Sequence, residues 1–179
     1  MVYMFLGTGF EEPDAIAPLD LLRRASVEIA TVGLNGKVLY GGHGIGVEPD
    51  LEIGQLDLTN MEMVILPGGL GGVASIKGCP AAMDDIRFAY ENGKFVAAIC
   101  AGPQILASLG ITDGKHATCY PGCEEQMGNT IMEDAAAGTD GNIITGTSAG
   151  CAIPFGLQLI AALKGQEAAD TIAKQIVIR

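Results

Sequence analysis

Short apolar runs alternate with amphipathic stretches along most of the chain. The runs at residues 2–6, 27–32, 61–66 and 95–99 have the length and apolar character of buried strands. Gly33 closes the second, and Pro67-Gly68-Gly69 closes the third. Between the first two, Ile16, Leu19 and Leu22, with Leu21 beside them, recur at helical spacing. Pro13 suits the first helical position. Glu11, Glu12 and Asp14 stand near the positive end of that helix, and Arg23 and Arg24 near the negative end. Residues 73–76 and 81–92 read as helical, with Gly93 as a C-terminal cap. Ile105, Leu106 and Leu109 form one face of a further helix that Gly110 closes. Asn35-Gly36 is a turn signal, with short strands predicted at 37–40 and 45–47 around Gly41-Gly42-His43-Gly44. Residues 117–120, 130–132 and 142–145 are strand-like. Thr147 or Ser148 is the expected cap of a helix running to Leu163, and a last helix follows over 167–175.

Strands alternating with helices imply βαβ units and a mostly parallel sheet covered on both faces. Right-handed crossovers gather the strand C-termini along one edge, where ligands bind in such sheets. The loops after Leu6, Leu66 and Ile99 all open onto that edge. Cys100 sits there with Ala98 two residues before it and Gly102 two after, the small-x-nucleophile-x-small pattern of a strand-to-helix elbow. A helix beginning beyond it aims free N–H groups at the sulfur, which favours the thiolate. The same local pattern also suits a cysteine that is only a small buried hydrophobe.

Composition narrows the function classes. A chain of 179 residues, 49% apolar and 17% charged with 26 glycines, fits one α/β domain spanning 1–179. A net charge of −11 argues against nucleic acid and anionic membrane partners. No apolar run reaches membrane-spanning length, and the apolar start is short for a signal peptide. Five cysteines without framework spacing suit a reducing cytoplasm. Gly68-Gly69-Leu70-Gly71-Gly72 lacks dinucleotide-loop spacing, and Cys119 with Cys123 lacks a second ligand pair, so neither cofactor nor metal is expected.

Five stretches together resemble the ThiJ/PfpI (DJ-one) family of the class I glutamine amidotransferase-like superfamily. They are residues 9–14 (Gly-Phe-Glu-Glu-Pro-Asp), 18–25, 64–69 (Val-Ile-Leu-Pro-Gly-Gly), 97–103 (Ala-Ala-Ile-Cys-Ala-Gly-Pro) and 145–150. The resemblance implies a three-layer flavodoxin-like sandwich with a mostly parallel central sheet, a cysteine nucleophile elbow and a homodimer. It makes Cys100 the reactive group, Asp14 its acid partner, and the N–H groups of Gly69 and Ala101 an oxyanion hole. Two residues depart from the family pattern: Asp14 replaces the usual Glu, and Tyr120 stands before Pro121 where many members carry His. The implied activity is cofactor-free glyoxalase or deglycase chemistry on methylglyoxal or its adducts. It is expected to be weak, because Tyr120 in place of the His is a poor base near neutrality, and a misplacement of the shorter Asp14 by about 1 Å can cost roughly 10²-fold in rate. The alternatives are an oxidative-stress sensor acting through Cys100 oxidation, and a cysteine hydrolase or amidotransferase-like enzyme using His43. Cys119 is a candidate resolving thiol, and Arg24 a candidate contact for an acidic product.

Overall fold

The computed structural model describes residues 1–178. In chain order its elements are β1 (Val2–Leu6), α1 (Glu12–Arg24), β2 (Ile29–Gly33), β3 (Leu39–Tyr40), β4 (Gly46–Val47), β5 (Leu51–Glu52) and β6 (Met63–Leu66). There follow α2 (Leu70–Lys77), α3 (Pro80–Glu91), β7 (Phe95–Ile99), α4 (Pro103–Ser108), β8 (His116–Ala117), β9 (Ile131–Met132), β10 (Ala137–Asp140), β11 (Ile143–Gly146), α5 (Ala152–Lys164) and α6 (Gln166–Gln175).

The main sheet has the order β10-β11-β7-β6-β1-β2-β5, and every pair in it is parallel except β10 with β11. Its five central strands, β2, β1, β6, β7 and β11, lie in the flavodoxin-like order, second strand before first. Uniformly apolar strands follow from burial on both faces. In β1, Tyr3 and Phe5 point into the layer under α2, α3 and α4, while Val2, Met4 and Leu6 point into the layer under α1, α5 and α6. Val96 and Ala98 of β7 face the first layer, and Ala97 and Ile99 the second. The order reverses between β1 and β6, so the loops leaving those two strands and β7 open onto one crevice.

Several expectations are corrected. Ile16 lies on the solvent side of α1, 40% exposed, because the inward stripe of that helix carries Glu12, Asp14, Ala15, Pro18, Leu19, Leu21 and Leu22. The strand expected over 117–120 stops at Ala117. Beyond it the backbone is drawn off the ladder by Thr118 N–H donating to Thr145 Oγ1 and Tyr120 N–H donating to the Cys100 carbonyl. Neither Thr147 nor Ser148 caps α5. The Thr147 hydroxyl donates to the Ala135 carbonyl instead, and a 3-10 turn over Ala149–Cys151 precedes the helix. β5 and β10 are edge strands that the hydrophobic pattern misses, one of two residues and the other an Ala-Gly-Thr-Asp run. Among the described residues no helix is long and apolar enough to cross a membrane.

Candidate active site at the Cys100 elbow

The turn from β7 into α4 places Cys100 at φ +63°, a left-handed conformation that costs a non-glycine residue about 1–2 kcal/mol. Three contacts hold it there. Cys100 N–H donates to the Gly146 carbonyl at 2.9 Å, and Tyr120 N–H donates to the Cys100 carbonyl at 2.8 Å. Gly102 packs so tightly that a Cβ there would lie 2.5 Å from the Leu66 carbonyl oxygen. The elbow needs a residue with no side chain at that point. The N–H groups of Ala101 and Gly69 lie near enough to the Cys100 sulfur to favour its thiolate.

Asp14, in the first turn of α1, is fully buried and faces that sulfur. Its Oδ2 accepts from Gly68 N–H at 3.2 Å, while Oδ1 has no well-aligned hydrogen bond among the described residues. Burial pushes the Asp14 carboxyl up to about 6, against the opposing pull of its contacts with Cys100 and Gly68 N–H, and Glu11 adds to the rise. Burial and the charge of Asp14 push the Cys100 thiol up to about 12, although the N–H groups of Ala101 and Gly69 pull the other way. Between those limits the pair carries one proton and one negative charge. A proton therefore has a short path from sulfur to carboxylate, which is what attack by a thiol requires.

A cleft of about 710 Å³ opens above the sulfur, lined by Cys100 with Gly69 and Ala101 beneath and Tyr120 and Pro121 at one side. Glu11 also lines it, from the loop after β1 that was expected to open there, and so do Gln104, Cys123 and Gln126, to which the sequence reading gave no such place. One signal was present for Gln104, which lies four residues after Cys100 and hence on the same side of a helix. The others depend on how the loop after β8 folds back.

The remaining candidates lie elsewhere. His43 does not line the cleft; its ring Nδ1 is 2.9 Å from Glu12 Oε2 and 3.6 Å from Glu11. The His116 ring pairs with Glu133 at 2.7 Å. Cys119 packs into the opposite core layer with its thiol toward the Tyr120 carbonyl, and burial, then Glu124 and Cys123, push it up to about 11. Arg24 is paired with Asp20 at 2.6 Å, away from the cleft lining. The ligand atoms of Glu11, Glu12 and His43 lie within 4.8 Å of one another, a spacing compatible with a metal ion. Here those groups bind each other.

Glu12 is the anchor of that group. Its carboxylate accepts from the His43 ring and from the backbone N–H of His43 and Ile45, fixing the β3–β4 ribbon to α1. Burial acts to raise its pKa, but hydrogen bonds from the His43 side chain and the backbone outweigh it and hold Glu12 at about 2. The lowered value means stability that is present above about 4.5 and is lost as pH falls toward 2. Glu12→Gln is therefore expected to be less stable at neutral pH and to flatten the acid-unfolding curve across that window. A curve as steep as the wild type's would show that Glu12 does not carry the acid sensitivity.

The DJ-1/PfpI family model matches residues 1–162. The protein named dj-1beta of Drosophila melanogaster is 33% identical over 178 residues, covering 98% of this chain and 95% of its own. Its crystal structure superposes with a TM-score of 0.94 at 32% identity, covering 99% of this chain and 97% of that one. A Pyrococcus horikoshii protein named deglycase PH1704 is 32% identical over 138 residues, 76% of this chain and 82% of its own.

Proposed function

The chain belongs to the DJ-1/PfpI family, and from that premise we propose that it is a cofactor-free enzyme of the glyoxalase or deglycase type, acting through the Cys100 thiol. The observation that carries this reading is the Cys100–Asp14 pair, both buried and facing each other under the cleft, with the N–H groups of Ala101 and Gly69 beside the sulfur. A relative named as a deglycase supports it.

In this reading the Cys100 sulfur adds to the aldehyde carbon of methylglyoxal, which an adduct first releases by breaking its bond to the amine or thiol, that group leaving with the hydroxyl proton. The S–H proton passes to Asp14, and the carbonyl electron pair moves to oxygen beside the N–H groups of Gly69 and Ala101. The resulting hemithioacetal loses the proton on its first carbon and gains one on the second, with Asp14 as the carrier. That leaves a lactoyl thioester, which water cleaves to lactate and free thiol. Tyr120 borders the substrate with its hydroxyl and supplies no imidazole. No histidine among the described residues lines the cleft, which disfavours the hydrolase reading through His43. A thiol pushed up to about 12 also disfavours a sensor that rests as a thiolate.

The homodimer implied by the family is part of the proposal. Tyr40 and Ile45 of the β3–β4 ribbon and Ile16 of α1 are exposed apolar groups on adjoining elements and would be covered in it. A reducing compartment such as the cytoplasm suits five free cysteines.

The test is lactate formation from methylglyoxal by the wild type and Cys100→Ser. Turnover is expected for the wild type only, rising with pH through about 6 as Asp14 ionises. No difference between the two proteins would overturn the reading.

A further inference from the structure

Gln104 is 7% exposed, and its carboxamide makes no side-chain hydrogen bond to the described residues, so what access it has is through the cleft it lines. It is held in place by α4, where its own N–H donates to the Ala101 carbonyl at 3.3 Å, and its side chain lines the cleft over Cys100. A carboxamide that faces a cleft is paired with water until a ligand that can reproduce those hydrogen bonds replaces it. Among the described residues the one side-chain nitrogen or oxygen that is both sealed from solvent and unpaired is Asp14 Oδ1. The Gln104 amide is therefore open to whatever enters the cleft.

Charge and size restrict the occupant. Glu11 lines the cleft, and among the described residues no lysine, arginine or histidine does. The Asp14–Cys100 pair adds negative charge at neutral pH, and the chain as a whole carries −11. An anionic ligand meets repulsion from each of these. A volume of about 710 Å³ is also generous for a three-carbon aldehyde. A carboxamide offers a donor and an acceptor together, which matches another amide.

We propose that Gln104 is a second recognition point beyond the thiol, hydrogen-bonding the amide group of a neutral substrate. It deepens the proposed function by assigning an uncharged, amide-bearing carbonyl compound as the preferred substrate. It rests on that reading for the chemistry only, and the binding itself is testable without turnover.

The probes are iodoacetamide and iodoacetate, in which sulfur displaces iodide from the same carbon but the tail is either an amide or a carboxylate. Alkylation rates at Cys100 are measured on the full chain near neutral pH, localised by mass, and compared with the free thiol N-acetylcysteine. The wild type is expected to favour iodoacetamide more strongly than the free thiol does. Gln104→Leu and Gln104→Met are expected to lose about fivefold of the iodoacetamide rate, the worth of one neutral hydrogen bond, with the iodoacetate rate unchanged. Gln104→Met keeps length and volume, so a folding defect in the leucine variant leaves the test intact. Iodoacetamide rates at the wild-type level in Gln104→Met would overturn the proposal. Lactate formation separates the two readings. A Gln104-dependent amide preference without turnover sinks the glyoxalase reading alone, and turnover without that preference sinks this one alone.

Discussion

Asp14→Asn is expected to melt at a higher temperature than the wild type near pH 7.5 and to lose most thiol-dependent turnover. The carboxyl is raised from the usual 3.8 to about 6, so the folded state binds its proton more tightly than the unfolded chain does. Ionising Asp14 therefore costs stability. That cost is fully present above about 6 and disappears below about 4. Two pKa units correspond to about 3 kcal/mol as an upper figure. At this chain length each kcal/mol moves Tm by about 2–4 °C, so a rise of up to about 6–12 °C is expected. Asparagine keeps an oxygen for Gly68 N–H but has no base to take the thiol proton. The gain over wild type should shrink as calorimetry moves from pH 7.5 to pH 4. With the Asp14 charge gone the Cys100 thiol should titrate lower, seen as faster alkylation near neutrality. A variant that melts below the wild type at pH 7.5 would show that the ionised carboxylate is stabilised where it lies.

The second large effect is expected from a single methyl group. In Gly68→Ala the new Cβ would lie 2.6 Å from Asp14 Oδ2, 2.6 Å from the Cys100 Cβ and 2.9 Å from the Ala101 nitrogen. All three belong to the reacting assembly; only Asp14 Oδ2 is a side-chain end, and that side chain is fully buried and holds Gly68 N–H. Relief must come from moving the acid away from the sulfur or from opening the elbow. A shift of about 1 Å is enough to reduce turnover by roughly 10²-fold. Overpacking of this kind also costs about 1–3 kcal/mol. Gly138→Ala in edge strand β10 is the control, since its Cβ would meet nothing nearer than Glu133 Oε2 at 3.6 Å. Turnover of Gly68→Ala within a few-fold of the Gly138→Ala control would mean that the acid–thiol spacing is not critical.

The central strands were legible because each is apolar on both faces, and β1, β6 and β7 need no knowledge of their neighbours to be recognised. The elbow was legible for a different reason. Ala98, Cys100 and Gly102 are local, and the crowding that demands a glycine at 102 is produced by the turn itself and the adjacent strand end at Leu66. Asp14 was nominated through family resemblance, since an acid in the first turn of a helix is ordinarily a dipole partner exposed to water. Its complete burial depends on where β6 ends. Cys119 was misplaced by proximity in sequence to Tyr120. Once the chain leaves the ladder after Ala117, Cys119 enters the opposite core layer, while Cys123 reaches the cleft through the turn at Pro121-Gly122. The strand–helix alternation brought the loop carrying Glu11 to the same edge, but Gln126 became a cleft residue only when the loop after β8 folded back, and no pattern along the chain records that return.

The bond from Tyr120 to the elbow runs through its main-chain N–H, while its side chain is 48% exposed at the cleft wall. Architecture and chemistry are thus uncoupled at this one position. Any residue that permits the same backbone path keeps the elbow braced, whatever functional group it presents to the substrate. Position 120 is an interchangeable socket, through which a lineage can trade an imidazole for a phenol and retune reactivity without rebuilding the nucleophile's support.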